Sequence, residues 1–146
     1  MLRRYRKEEG RWDGVEPHVY KADPTVFRDV TKQVLFEREG DLSVQFRCFS
    51  VAPGGYTSLE RHEHMHVVVI FEGTGHALLG TEVHPVAPGD FLSIPSWTWH
   101  QFRADAGETL RFFCLVNADR DRPAYPTEAD LAELRSHPDV AAFLGR

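Results

Sequence analysis

Between Gly54 and Gly73 the chain carries potential metal donors at every second position, namely Glu60, His62, His64 and His66. In an extended strand, side chains two residues apart point to the same face and lie about 6.6 Å apart. Glu60 and His62 are therefore close enough to bind one ion together. On a single straight strand Glu60 and His66 would be roughly 20 Å apart, whereas metal–ligand bonds are about 2 Å long.

A shared metal site therefore requires the chain to reverse direction between His62 and His66. Residues 63–65 are predicted to form the bend. His64 lies within this bend, which makes it the least suitable ligand of the three histidines. The sequence thus predicts two strands that meet at a turn, with donors on both sides of it.

The middle of the chain has the pattern of an antiparallel β-protein. The segment from Leu42 to Ala52 alternates, with Val44, Phe46 and Cys48 on one face, until the glycines after Pro53 are expected to break it. Many short strands separated by Gly and Pro turns predict a barrel or sandwich. Further strands are expected at Val34–Phe36, Val67–Phe71, His76–Leu79, Val83–Val86, Phe91–Ile94, His100–Arg103 and Thr109–Val116.

The last thirty residues have a helical pattern. A connector bracketed by prolines, Asp119 to Pro126, precedes Thr127, which with Asp130 forms a predicted capping box. A second helix is predicted from Pro138 to Leu144, with Ser136 as its cap. We expect these helices to cover an opening or edge of the β-structure, with a lid over the site as an alternative.

The composition is that of one globular domain. The chain has 146 residues, is 42% hydrophobic and carries a net charge of -5, which does not favour nucleic acid as a partner. No apolar run approaches the roughly 20 residues of a membrane span, and the N-terminus lacks an apolar secretory core. We therefore expect a soluble, cytoplasmic protein without a membrane partner. Its parts would be an N-terminal arm (1–29), a barrel (30–116), and a C-terminal connector with helices (117–146).

The two cysteines, Cys48 and Cys114, lie in apolar strand-like segments. Two isolated cysteines do not make a disulfide framework. We expect both to be reduced and buried, as small hydrophobic side chains.

The donor spacing resembles the first motif of the cupin superfamily, whose members are small jelly-roll barrels that usually hold a divalent metal. That motif runs glycine, five residues, histidine, one, histidine, three or four, glutamate, six, glycine. Every interval is matched, but histidine and glutamate are exchanged at the first and third donor positions. The matching residues are Gly54, Glu60, His62, His66 and Gly73.

A second cupin motif is matched further along the chain by Gly89, Pro95 and His100, with Trp97 in place of its glycine and Ala104 in place of its asparagine. The resemblance implies an all-β fold, an antiparallel jelly-roll barrel with short C-terminal helices. It also implies a metal site. The ligands would be Glu60, His62, His66 and His100.

Three imidazoles and a carboxylate suit a divalent transition metal, which would be Mn, Fe, Ni, Cu, Co or Zn. In a six-coordinate ion, two positions would remain open for a substrate, or for a substrate and O₂. A dioxygenase acting on a small organic molecule is the leading expectation. Alternatives are a non-oxidative lyase, isomerase or decarboxylase, and a non-enzymatic small-molecule-binding cupin. We also expect a homodimer.

Strand parity suggests which side chains face the barrel interior. Among these interior side chains, Tyr56 alone ends in a polar hydroxyl group. It is therefore the candidate catalytic residue, which would donate a proton or orient the substrate. Arg47 and Gln101 are candidates for binding an anionic group of the substrate. The sequence leaves open which face of its strand each side chain occupies. Trp97 and Trp99 are expected near the mouth. The full interior set is Phe46, Cys48, Tyr56, Phe102, Phe112 and Cys114.

Overall fold

A computed structural model describes residues 1–19 and 28–145 of the chain. The described part is mostly antiparallel β-structure followed by two short helices. The strands are β1 Tyr5–Arg6, β2 Arg11–Trp12, β3 His18–Val19, β4 Arg28–Glu39, β5 Leu42–Tyr56, β6 His66–Glu72, β7 Gly75–Leu79, β8 Glu82–Val86, β9 Phe91–Ile94, β10 His100–Ala104 and β11 Leu110–Asn117, and the helices are α1 Glu128–Arg135 and α2 Pro138–Leu144.

The long strand β5 connects the two halves of the main sheet. It pairs along most of its length with β4 on one side and β11 on the other, and at Tyr56 it also pairs with β10. Across the main sheet, hydrogen-bonded strands follow the order β8-β7-β10-β5-β11-β6-β9. The sheet curls around an apolar core, and the predicted jelly-roll barrel with C-terminal helices is confirmed.

The predicted break after Ala52 is wrong, because β5 continues through Pro53, Gly54 and Gly55 to Tyr56. Gly54 has φ of +71°, a conformation that glycine adopts without strain. At Gly55 the backbone passes so close to the carbonyl oxygens of Arg28 and Ala52 that a side chain would collide with them. The two glycines therefore allow an irregular strand where a turn was expected.

Side chains alternate along β5 as predicted, but the face that was predicted to lie inside the barrel lies outside it. Arg47 and Phe49 line the cavity inside the sheet, whereas Phe46 stacks on Phe113, 5.2 Å between ring centroids. Trp12 of the N-terminal hairpin covers Phe113 from outside, with ring centroids 5.7 Å apart. Because the hairpin buries this outer face, both faces of β5 can be apolar, and apolar character does not distinguish inside from outside.

The N-terminal segment packs on the sheet of its own chain. Tyr5 and Trp12 contact Phe71 at centroid distances of 5.1 and 5.8 Å. The buried Gln33 side chain donates to the Gly10 carbonyl oxygen and accepts from the Trp12 N–H. These contacts make the hairpin β1–β2 a second layer over one face of the sheet.

The two helices cover the outer face near β7 and β8. The capping box of Thr127 and Asp130 is present as predicted. Ser136 does not cap the second helix, because it ends α1 and its hydroxyl donates to the Glu133 carbonyl oxygen, while His137 occupies the N-cap of α2. A separate apolar cluster joins the helices to the sheet through Leu59, Leu78, Leu134, Val140 and Phe143.

Among the described residues, neither helix is long or apolar enough to cross a membrane.

Candidate metal centre

The chain reverses within the predicted bend. Glu63 and His64 form a bend, and β6 begins at His66. On the other side of the bend, Glu60 pairs with His100 through backbone hydrogen bonds in both directions, at 3.2 and 3.0 Å. The reversal and this pairing bring donors from distant parts of the sequence to one end of the cavity.

His62, His66 and His100 form a compact group. One ring nitrogen from each lies within 4.8 Å of the others, and the three ring centroids are 4.9 to 5.0 Å apart. All three residues are buried. The structure thus places three imidazoles where they could share one ion.

Each imidazole is oriented by a contact at Nδ1. His62 Nδ1 lies 2.6 Å from the His64 carbonyl oxygen and His100 Nδ1 lies 2.9 Å from that of Thr98, so both donate a hydrogen there. His66 Nδ1 lies 3.1 Å from the Cys114 sulfur. These partners leave Nε2 of each ring for a ligand, and Nε2 of His66 is buried without a hydrogen-bond partner in the described structure.

Burial keeps these imidazoles neutral. It lowers the pKa of His66 to about 2, with His100 and His62 adding like-charge repulsion. It also lowers the pKa of His100 to about 4 and depresses that of His62. A neutral imidazole at neutral pH is the form that binds a metal ion.

Glu60 lies beside the three histidines. Its Oε1 is 3.8 Å from His100 Nε2, and its other carboxylate oxygen accepts a hydrogen bond from the Ser58 hydroxyl. Burial raises the pKa of this carboxyl group. The compact group contains only the histidines, so ligation by Glu60 stays a prediction.

His64 has a supporting position. Its ring stacks on His62 with centroids 3.6 Å apart and planes 3° from parallel. Its Nδ1 lies 2.6 Å from Asp121 Oδ1, and Asp121 also accepts hydrogen bonds from the N–H groups of Glu63 and His64. Asp121 therefore fastens the bend to the segment after β11.

The loop before His100 supports the same site. Trp97 occupies the glycine position of the second motif and has φ of +57°, the left-handed backbone that a glycine there would favour. Its N–H donates to the His62 carbonyl oxygen at 2.7 Å. Trp97 as a whole is 52% exposed, and the Arg61 guanidinium lies over the Trp99 ring at 4.3 Å. Neither tryptophan lines the cavity.

The histidines open into a cavity of about 310 Å³, within the size range of small-molecule sites. Its walls combine apolar rings with basic and acidic side chains. The lining residues are Val30, Lys32, Arg47, Phe49, Thr57, Ser58, Glu60, His62, His64, His66, His100, Phe102, Phe112, Cys114, Arg120, Asp121, Pro123 and Tyr125.

Tyr56, the candidate catalytic residue, is not part of this lining. Its ring lies on the other face of β5, with Arg103 over it at 4.5 Å. Phe102, Phe112 and Cys114 do line the cavity, as parity predicted. Cys48 is fully buried and, like Cys114, free.

Sequence reasoning missed the four lining residues from the connector, which are Arg120, Asp121, Pro123 and Tyr125. Burial and the nearby Glu60 carboxylate raise the pKa of Tyr125. The connector is held over the cavity by paired backbone hydrogen bonds between Arg61 and Ala124, 3.1 and 2.8 Å long. The prolines that bracket Tyr125 were the only signal in the sequence that this segment is ordered.

A curled antiparallel sheet with three buried histidines at the end of its cavity defines a small β-barrel with a site suited to a divalent metal. Residues 47–116 match the model of the cupin domain. A 1-methylthio-D-xylulose 5-phosphate methylsulfurylase of Rhodospirillum rubrum is 55% identical over 135 residues, covering 92% of this chain and 86% of that protein. The chain belongs to the cupin superfamily.

Two further comparisons bear on fold and function. The crystal structure of a cupin-2 domain protein from Rhodospirillum rubrum superposes with a TM-score of 0.88 at 54% identity, over 92% of this chain and 90% of that one. A 5-nitrosalicylic acid 1,2-dioxygenase of Bradyrhizobium sp is 33% identical over 68 residues, which is 47% of this chain and 33% of that protein.

Proposed function

We propose that this protein is a metal-dependent enzyme that removes the methylthio group from 1-methylthio-D-xylulose 5-phosphate. The observation that carries the proposal is the 55% identity over 135 residues with the Rhodospirillum rubrum protein named for this activity. That identity covers 92% of this chain and so extends well beyond the two cupin motifs. The cavity of about 310 Å³ has room for a substrate of this size.

The residues around the cavity fit a divalent transition metal. Three neutral imidazoles converge, and the buried Nε2 of His66 has no other partner in the described structure. His62, His66 and His100 would hold the ion, with Glu60 beside them. Bound there, the ion would supply Lewis-acid polarisation of a carbonyl group such as C2 of the ketose.

The reaction would transfer the methylthio group to a small thiol. The bond between C1 and the methylthio sulfur breaks, and that sulfur forms a disulfide bond with the thiol sulfur. C1 keeps the electron pair of the broken bond and takes up the thiol proton, becoming a methyl group. The thiol is oxidised and C1 is reduced, so the reaction balances without O₂.

The chain's own side chains would orient this substrate and shield it from water. Phe49, Phe102 and Phe112 form an apolar wall suited to the methylthio group. Glu60 and Tyr125 bring polar groups to the same cavity, where they would hydrogen-bond the sugar hydroxyls. This combination of an apolar wall and a few polar groups is typical of small-molecule sites.

An oxygen-dependent reaction is the competing candidate, because of the partial match to the 5-nitrosalicylic acid 1,2-dioxygenase. That match covers 47% of this chain, about half the coverage of the methylsulfurylase match. Dependence on O₂ separates the two candidates.

The test is incubation of the metal-loaded protein with 1-methylthio-D-xylulose 5-phosphate and a small thiol, with and without O₂. We expect the methylthio protons of the sugar to disappear from the NMR spectrum at equal rates in both atmospheres. A His62→Ala, His100→Ala double variant serves as the control without metal. Turnover only in the presence of O₂, or no turnover at all, would overturn the proposal.

A further inference from the structure

Three cationic side chains from separate parts of the chain line the same cavity as the histidines. Lys32 comes from β4, Arg47 from β5 and Arg120 from the connector after β11. In the β4–β5 register Lys32 is opposite Phe49 and Arg47 is opposite Val34. Lys32 and Arg47 are therefore diagonal neighbours on one face of the sheet.

Arg47 keeps a buried hydrogen-bond donor for a ligand. Arg47 Nη2 contacts the Cys114 sulfur at 3.0 Å, a weak acceptor, and Arg47 Nε is buried without a partner in the described structure. Arg120 Nη2 donates to Gln45 Oε1 at 2.9 Å, and its Nη1 donates to backbone carbonyl oxygens. A guanidinium has five donors in a planar fork, which suits it to phosphate.

Like charges gathered in a partly buried cavity repel one another. Burial and then the charges of Arg47 and Arg120 lower the pKa of Lys32, while the charge of Glu37 acts in the opposite direction. Two carboxylates line the cavity, but Glu60 accepts from Ser58 and Asp121 is held by the bend at His64. An anionic ligand would relieve the repulsion among the three cations.

The Cys114 sulfur connects the cations to the metal site. It contacts Arg47 Nη2 at 3.0 Å on one side and His66 Nδ1 at 3.1 Å on the other. A ligand that binds the basic cluster with one end can therefore reach the histidines with the other. A short sugar phosphate has such a shape, with its carbonyl a few bonds from its phosphate.

We propose that Lys32, Arg47 and Arg120 form a phosphate subsite that binds the 5-phosphate of the substrate and directs its C1–C2 end toward the three histidines. The proposal rests on the proposed function for the identity of the substrate. It assigns the basic cluster a role in specificity, since only a phosphorylated ketose would bring a negative charge to the three cations.

The test measures binding to the metal-loaded protein by calorimetry, without turnover. D-xylulose 5-phosphate, D-xylulose and inorganic phosphate are the probes, and Lys32→Gln, Arg47→Gln and Arg120→Gln are the variants. Arg135→Gln removes one charge at an exposed position on α1 and is the matched control. Thermal unfolding of each variant shows that it is folded.

We expect wild type and Arg135→Gln to bind D-xylulose 5-phosphate at least roughly tenfold more tightly than D-xylulose, since bonds between ions are the strong ones. Each cavity variant should lose most of that preference, and Lys32→Gln and Arg120→Gln should do so even if Arg47→Gln fails to fold. Equal binding of the two sugars by wild type, or an unchanged preference in folded cavity variants, would overturn the proposal.

The binding test of the phosphate subsite can succeed or fail independently of the turnover test of the proposed function. Phosphate-dependent binding together with no turnover of 1-methylthio-D-xylulose 5-phosphate would support the subsite and contradict the reaction. Turnover combined with binding that ignores the phosphate would support the reaction and contradict the subsite.

Discussion

The Asp121 carboxylate lies 2.6 Å from Nδ1 of His64 and accepts that residue's backbone N–H at 3.0 Å. It also accepts the N–H of Glu63 at 2.8 Å, and these bonds hold the pKa of Asp121 well below its usual range. The carboxylate thus joins the connector to the bend that separates two of the histidines.

Removing this carboxylate should loosen the bend. In Asp121→Ala we expect the amide hydrogens of Glu63 and His64 to exchange roughly tenfold faster, because both lose their acceptor. Hydrogen exchange followed by NMR measures this. Asp119→Ala, which removes an exposed carboxylate two residues away, should leave both amides unchanged, and equal exchange in the two variants would contradict the prediction.

Metal affinity should depend most on the three histidines. We expect His62→Ala, His66→Ala and His100→Ala each to weaken binding of a divalent transition metal by roughly 100-fold or more, since each removes one of three converging donors. Competition with a chelator of known affinity measures the change. His84→Ala, a half-exposed histidine on β8, is the control and should bind as wild type.

Glu60→Gln separates a four-ligand site from a three-histidine site. The carboxylate lies 3.8 Å from His100 Nε2, outside the compact group, so we expect a loss of about tenfold from its charge alone. A loss as large as that of the histidine variants would identify Glu60 as a full ligand.

Gly73 should be intolerant of a side chain. A Cβ there would overlap the Thr109 carbonyl oxygen, and its φ is +75°. Gly40 has φ of +60° but open space around it, so Gly40→Ala reports the conformational penalty alone, about 1 kcal/mol. We expect Gly73→Ala to lower the free energy of unfolding by at least about 2 kcal/mol more. Urea unfolding measures both, and equal losses would contradict the steric account.

Alkaline pH should destabilise the protein through Cys48. Burial raises the pKa of this thiol from 9.0 to about 12, so the unfolded chain loses the proton first as pH rises. The contribution of Cys48 to the free energy of unfolding is constant below about pH 9 and falls by about 1.4 kcal/mol per pH unit toward pH 12. Urea unfolding between pH 8 and 11 should therefore show a smaller alkaline loss for Cys48→Ala. Parallel curves would contradict the prediction.

The sequence predicted much of the geometry of the candidate metal centre, because that geometry depends on short intervals. Spacing alone required a reversal between His62 and His66 and removed His64 from the ligand set. The cupin resemblance supplied His100, whose approach to Glu60 depends on a pairing between distant segments. No local pattern encodes such a pairing.

The cavity walls were harder to predict. Phe46 and Phe49 are equally apolar, and only the N-terminal hairpin packed outside the sheet shows why one lies outside. Because the faces of β5 are the reverse of those predicted, Tyr56 also lies outside the cavity. Arg120 and Tyr125 lie in a segment without periodicity, whose course over the barrel is set by hydrogen bonds to distant residues.

Because the connector lies over the cavity, two separate stretches of sequence form the site. The histidines belong to the barrel, whereas Arg120 and Tyr125 belong to a segment that follows it and is not part of the main sheet. Substitutions in that segment can alter which molecule fits while leaving the three histidines in place. A new specificity could therefore evolve through substitutions in that segment alone, with the barrel unchanged.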